Sequence, residues 1–426
     1  MKAQAEPVSR SERIYTLDVI RGTALLGIFI MNLPTFAMSG WAGLDGTEPF
    51  PQWWNLAAGT ARDVLFSGKF NSMFSMLFAI GFTIQLERLE TRDPAHATAI
   101  YLRRIGWLFV FGITHALVLW TGDVLHMYAL MGVTLLLLRR VSDRVVWTLF
   151  ALLFLYPIGL GLYRLLTTTP ETIQHLLANA KAWETSDNAA YGAGGTYLAA
   201  VKQNARQMWF YYTNQRQIFS MLAVYAQLGC TMLIGLLLGR HDFFRKSEAY
   251  LPAVRRVQWL ALAVGIAAGA VYGTWLATTT QPMVPSPFRL LANFCYYVCR
   301  IATMAFYVTT LIRGVHSTAW RQRLAPLATA GRMPLTNYLM QSVIGALIFY
   351  CWGLGYWLQI GPALCLVLPV IISFGIQVPL SYLWLRHFEL GPMEYLWRVL
   401  TYGRMTLRAR TSPIHGADGP ADAVPR

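Results

Sequence analysis

Charge is what this sequence lacks most. Only 13% of its 426 residues are Asp, Glu, Lys or Arg, against about 25% in a soluble protein. With 55% hydrophobic residues and a mean hydropathy of +0.42, that shortage excludes a soluble globular enzyme and a disordered chain. Acidic residues are the scarcer sign: 20 Asp plus Glu face 35 Lys plus Arg, a net charge of +15. In a soluble chain such an excess would point to nucleic acid. Here the cations are scattered among apolar runs, so the membrane explains them better and no nucleic-acid partner is expected. Cysteine is also sparse. Cys230, Cys295, Cys299, Cys351 and Cys365 all fall within apolar stretches and make no disulfide framework. Cys295 and Cys299 share a helical face at i,i+4, but no His or acidic residue follows nearby. They read as small buried hydrophobes, and no metal is expected.

What the sequence has in abundance is apolar runs. Crossing a bilayer takes about 20 mostly apolar residues, and ten segments qualify: 17–38, 66–86, 100–120, 122–138, 145–166, 218–238, 257–277, 290–312, 333–350 and 363–385. The first is not a secretory signal, because Asp18 and Arg21 interrupt its start. Basic residues gather on alternate connections, at Arg103 and Arg104, Arg139 and Arg140, Arg255 and Arg256, and Arg321 and Arg323. Under the positive-inside rule these sides are cytoplasmic. The expected architecture is an all-α polytopic membrane helix bundle of about ten transmembrane helices with both termini cytoplasmic. Residues 1–410 form one transmembrane helical domain, and 411–426 a disordered cytoplasmic tail. Two outer connections are long. Residues 39–65 hold Pro49, Pro51, Trp53 and Trp54 and read as turn-rich. Residues 167–217 form an extracytoplasmic helical loop, with a helix from Pro170 through Trp183, a glycine break at 192–195 and a second helix at 197–212. No internal repeat is visible, which counts against an inverted-repeat transporter.

Ionisable and polar groups within these segments are the functional candidates, since a bilayer interior penalises them. At the outer turn between the third and fourth segments lie His115, Asp123 and His126. The two histidines are equidistant from the turn and so share one depth, about 8 Å below its tip at 1.5 Å per residue. Asp123 and His126 lie on one helical face. Three readings stand: an N-cap with two interfacial histidines, a His base oriented by a carboxylate, and a His–His–Asp metal site without an evident fourth ligand. Asp18 and Arg21 open the first segment and either pair with each other or bind an anionic ligand. Asn32 lies in the outer half of the same segment, and Lys69 and Asn71 begin the second, with Lys69 expected to snorkel to the interface. Arg332, Asn337 and Gln341 open the ninth segment, as a helix-packing seam or as an anion site at a helix start.

These residues resemble a known family. Asp18-Val19-Ile20-Arg21-Gly22 with Met31-Asn32, Gly68-Lys69-Phe70 with Leu77-Phe78, and His115 with Gly122-Asp123 resemble the YeiB-like membrane proteins, catalogued as domain of unknown function number 418. Gly331-Arg332-Met333 with Thr336-Asn337-Tyr338, and the run from Gly391 to Arg398, look like that family's C-terminal signature. The Asp-x-x-Arg-Gly opening is similar to a broader superfamily of transmembrane acyltransferases, including the heparan-α-glucosaminide N-acetyltransferases. That resemblance implies cytoplasmic acyl-CoA, acetyl-CoA foremost, as donor and an acceptor reached from the opposite face. In those acetyltransferases the catalytic His lies in the first outer loop, but residues 39–65 contain no His. His115 or His126 would take that role, with Asp123 as its partner.

The expected function is therefore an integral membrane acyltransferase of a bacterial inner membrane. It would move an acyl group to a hydroxyl or amine, with a glycan among the candidate acceptors. Asn32, Lys69 or Asn71 would contact substrate or the oxyanion, and Asp18, Arg21, Arg332, Asn337 and Gln341 the CoA. A proton-coupled transporter or exporter is the competing class, and a lipid- or protein-scaffolding bundle the third. Membrane lipids are expected partners, and self-association stays open. Trp41, Trp183, Trp209, Tyr211 and Tyr212 suit either sugar stacking or an interfacial belt.

Overall fold

The computed structural model describes residues 14–403, so the tail at 411–426 lies outside the described residues. Lipid offers no hydrogen-bond partners, so a spanning backbone must satisfy itself internally. The chain obeys this with helices throughout. In order they are α1 (Tyr15–Ala37), α2 (Trp53–Leu65), α3 (Lys69–Arg92), α4 (Ala97–Val118), α5 (Leu125–Leu138), α6 (Asp143–Thr167), α7 (Pro170–Tyr191) and α8 (Tyr197–Thr213). The second half comprises α9 (Gln215–Arg240), α10 (Leu251–Thr278), α11 (Pro287–Val315), α12 (Thr318–Gly331), α13 (Pro334–Phe349), α14 (Pro362–Ile372), α15 (Val378–His387) and α16 (Pro392–Tyr402). A π turn, Ser373–Gln377, joins α14 to α15. No strand occurs among the described residues.

The chain is a polytopic helical bundle. All ten apolar segments lie on helices, and seven stretches are long and apolar enough to cross a membrane. The others are α5 and α13, which are apolar but have only 14 and 16 residues, and α4, which carries Arg103 and Arg104. At 1.5 Å per residue α5 and α13 reach about 21 and 24 Å, short of a hydrocarbon core of about 30 Å.

Helix surfaces sort by what they touch. α1 is buried along most of its length and forms a central stave against α3, α12, α13 and α14. α6 and α10 bury little, and their exposed Leu152, Leu155, Trp259 and Ile266 make a lipid-facing surface. Where α1 crosses α12, backbones nearly touch. A Cβ on Gly331 would stand 1.9 Å from the Asp18 carbonyl oxygen, and one on Gly22 1.8 Å from that of Leu327. The Asp18–Gly22 motif and the Gly331-Arg332 motif thus meet as one crossing.

Two expectations need correction. Residues 39–65 are not turn-rich throughout, because α2 begins at Trp53, just past the prolines that exclude helix at 49 and 51. The helix from Pro170 does not stop at Trp183 but runs to Tyr191, where the glycines of 192–195 end it. Thr169 caps its start by accepting from the Thr172 amide at 3.2 Å, and Thr196 caps α8 from the Ala199 amide at 3.1 Å.

Candidate functional site

The hairpin of α4 and α5 brings His115, Asp123 and His126 into one hydrogen-bonded group. His115 Nδ1 lies 2.9 Å from Asp123 Oδ1, and His126 Nδ1 lies 2.8 Å from Oδ2. All three residues are at most 3% exposed. An ionised carboxylate only accepts, so each imidazole donates through Nδ1 and keeps Nε2 as an acceptor. Asp123 Oδ2 also accepts the His126 amide at 3.0 Å, which satisfies an orphan donor in the first turn of α5. Tyr338 of α13 donates to Oδ1 at a long 3.4 Å and receives the Val124 amide at the same distance. One carboxylate oxygen, Oδ2, thus holds both a first-turn amide of α5 and the His126 ring, and the other, Oδ1, holds His115.

Close approach of the two helices depends on Gly112. A Cβ there would lie 2.3 Å from the His126 amide nitrogen and 2.8 Å from Asp123 Oδ2.

The two Nε2 atoms have different fates. That of His126 is 2.6 Å from the Tyr212 hydroxyl of α8, which in turn lies 3.2 Å from the Tyr225 hydroxyl. That of His115 is buried and has no hydrogen-bond partner among the described residues. Leaving a buried acceptor unsatisfied costs about 1–3 kcal/mol, so the site retains an unmet basic nitrogen beside a fully engaged one.

The outer helices close over this hairpin. Gln207 accepts from Thr121 at 2.8 Å, and Asn204 donates to the Leu117 carbonyl at 3.0 Å. Behind them Asp187 accepts from Ser39 (2.6 Å), Gln203 (2.7 Å) and Gln207 (2.6 Å). Burial pushes the Asp187 carboxyl above its ordinary range, against the pull of these donors.

The remaining candidates do not join this group. Lys69 does not snorkel: its side chain is fully buried and donates to the Asp63 carbonyl at 3.1 Å. The reason is that α2 continues into the bundle and covers it. The side chains of Asn32 and Asn71 make no hydrogen bond among the described residues, although the Asn71 carbonyl accepts from Tyr128 at 3.2 Å. Arg21 pairs with Asp18 at 3.0 Å. Asn337 donates to the Ala330 carbonyl and to Ser381, both at 3.0 Å, while Gln341 donates to the Leu25 carbonyl at 3.2 Å and to Gln377 at 3.1 Å. These contacts form a polar seam joining α1, α13 and α15. Arg332 sits at the end of α12, beside that seam. No group of three His, Cys, Asp or Glu with metal-holding geometry occurs among the described residues.

Sequence reasoning named Tyr212, Tyr338 and the run holding Glu394 but not the contacts they make here. Glu394 of α16 accepts the Leu335 and Thr336 amides at 2.6 and 3.1 Å and the Thr336 hydroxyl at 2.6 Å. It caps α13 from 59 residues away. Its neighbour Trp397 donates to the Arg104 carbonyl at 2.9 Å, with the Arg104 guanidinium 3.7 Å above its ring. The signature around Gly391–Arg398 thus completes the one around Arg332–Tyr338.

A family model described as "Protein of unknown function (DUF418)" matches residues 238–404, which run from the end of α9 through α16. An uncharacterized protein, YxaH, from Bacillus subtilis (strain 168) is 30% identical over 408 residues, covering 93% of this chain and 96% of its own. YeiB from Escherichia coli (strain K12), also uncharacterized, is 28% identical over 421 residues, with 92% and 96% covered. An uncharacterized 39.9 kDa protein from Bacillus acidopullulyticus is 27% identical over 406 residues. No solved structure matches the chain significantly. With the shared length running through hairpin, seam and α16 cap alike, the chain belongs to the YeiB-like DUF418 family.

Proposed function

We propose that this protein is a membrane acyltransferase of the bacterial cytoplasmic membrane, in which His115 is the general base. The observation that carries the reading is the His115 Nε2 atom, buried and without a partner, on a ring whose Nδ1 is held by Asp123. An imidazole so held presents one lone pair in a fixed direction and has a carboxylate ready to stabilise its imidazolium form. Nε2 would take the proton of an acceptor hydroxyl or amine as that group attacks the thioester carbonyl of acyl-CoA. Collapse of the tetrahedral adduct would expel the CoA thiolate, with the proton on His115 available to it. His126 would hold the other carboxylate oxygen, its own Nε2 occupied by Tyr212.

The test is acyl-CoA binding and CoA release by the purified protein with sugar and amine acceptors. His115→Ala and Asp123→Asn should lower release by about 100- to 10,000-fold while leaving acyl-CoA binding intact. If no acyl-CoA stabilises the wild-type protein, or if His115→Ala turns over normally, the reading fails.

One observation favours a second reading, proton-coupled transport. One spanning stretch is interrupted, α2–α3 at Gly68, and another carries a π turn between α14 and α15. Discontinuous helices are where transporters hold substrate. Solute-driven proton flux in proteoliposomes, lost in Asp123→Asn, would favour it.

A further inference from the structure

A second buried polar group lies at the break between α2 and α3, apart from the histidines. The 40-residue stretch Trp53–Arg92 would be about 60 Å long as one straight helix. It is divided at Gly68, whose φ of +73° is a left-handed value that suits glycine. α3 begins there with no side-chain cap, and its first residue is Lys69, fully buried. Opposite stands Arg300, 4% exposed, at the midpoint of the 29-residue α11. Both cations flank the same glycine: a Cβ on Gly68 would lie 2.9 Å from Arg300 Cδ.

Every acceptor these two cations have is neutral. Arg300 Nε donates to the Gly68 carbonyl at 3.1 Å and to Ser72 at 2.5 Å, and its Nη1 donates to the Gln227 side-chain oxygen. Lys69 donates to the Asp63 carbonyl and sits 5.5 Å from the Tyr296 ring centroid. The Asp63 carboxylate itself is engaged by Arg62 at 2.8 Å. Among the described residues neither Lys69 nor Arg300 has a carboxylate oxygen within 4 Å. Two desolvated cations of like sign beside a helix start leave an uncompensated positive field.

Of the two cations, Arg300 lines a narrow cavity. Arg300, Gln227 and Tyr297 form its polar side, and Leu153, Phe154 and Pro157 of α6 form its apolar side. α6 is the least buried of the spanning helices, so the apolar wall is all that separates the cavity from lipid. We infer that Arg300 binds the phosphate or carboxylate group of an anionic amphiphile whose apolar chain lies against α6, with Lys69 behind it adding to the positive field. The mid-helix position of Arg300, about 20 Å from either end of α11, sets this site apart from the head-group layers. A molecule held there is a ligand of the bundle and not part of the surrounding lipid. The inference does not depend on the acyltransferase reading.

The test uses the full-length protein in a nonionic detergent, titrated separately with palmitate, dioleoyl phosphatidate, dioleoyl phosphatidylcholine and inorganic phosphate. Thermal unfolding and native mass spectrometry are the two readouts. The expected result is stabilisation and a retained adduct with palmitate or phosphatidate, whichever carries the preferred head, and none with phosphatidylcholine. Apparent affinity should fall about tenfold or more in Arg300→Gln, as loss of a charge-assisted contact implies, and be largely kept in Arg300→Lys. The Lys variant and the wild-type adduct keep the test decisive if Arg300→Gln does not fold. Equal binding in Arg300→Gln and wild type would overturn the inference. So would a response to inorganic phosphate alone, or no response to any anion.

Discussion

At the scale of single residues, one carboxylate organises the centre of this protein. Asp123 receives both imidazoles, a helix amide and a phenol, so its replacement cannot be neutral. Asp123→Asn keeps only one accepting oxygen and turns an amide NH2 toward an Nδ1–H, forcing one imidazole into its other tautomer. The expected result is a fall of about 100- to 10,000-fold in acyl transfer, measured as CoA release, with little change in acyl-CoA binding. Gly112→Ala should push the hairpin apart, costing about 1–3 kcal/mol as an overpacking change. A lower unfolding midpoint together with lost turnover would check it. A midpoint equal to that of wild type would show that α4 and α5 can part without cost. The hairpin triad was legible in the sequence because its spacing is local and symmetric about a short turn. Tyr212 and Tyr338 were not, since they reach His126 and Asp123 from 86 and 215 residues away, respectively. Arg300 had a readable signal, a lone cation in the middle of an apolar run.

At the scale of elements, the informative features are starts and interruptions. The ten apolar segments marked helices, because lipid forces the backbone into helices wherever a run is long enough, while the less apolar α12 and α16 carried no such signal. The continuation of α2 into the bundle was not legible: Pro49, Pro51 and two tryptophans look the same at an interface as at the start of a buried helix. α13 shows why caps matter. It starts with no side-chain cap of its own and borrows Glu394 from α16. Glu394→Ala should lower stability by about 1–2 kcal/mol, the range for a lost cap, read from thermal unfolding in detergent. Burial pushes the Glu394 carboxyl above its ordinary range. Its folded-state pKa therefore exceeds the unfolded one, and the proton-linked stability is full below the unfolded value and lost as pH rises through the folded one. The unfolding midpoint of the wild type should fall across that acid window, and Glu394→Gln should flatten the slope. An unchanged slope would place the pH dependence elsewhere.

Asp187 works the same way in the outer segment. Burial has raised its pKa as well, and Asp187→Ala would strand Ser39, Gln203 and Gln207 together. Loosening of α7 and α8, seen as faster limited proteolysis within 167–217, is the expected outcome.

At the scale of the whole molecule, the cations of the sequence predict an orientation. The same arrangement makes a labelling prediction, because four of the native cysteines are buried. In a background carrying Cys351→Ser, Lys181→Cys on α7 should react with a membrane-impermeant maleimide in intact cells. Gln322→Cys on α12 should react only after permeabilisation. The reverse pattern would invert the topology, and equal labelling from both sides would refute a fixed orientation.

The α16 contacts have a consequence for biosynthesis. Chains are made and folded from the N-terminus, so α3, α4 and α13 are inserted before α16 exists. Yet α16 supplies the cap of α13, clasps Arg104 with Trp397, and receives Gln85 of α3 through Tyr402 at 3.1 Å. Insertion and locking are therefore separate events in the life of this protein. The last spanning segment to be synthesised can be in the membrane while the bundle is still unlatched, and the final dozen described residues are the ones that close it.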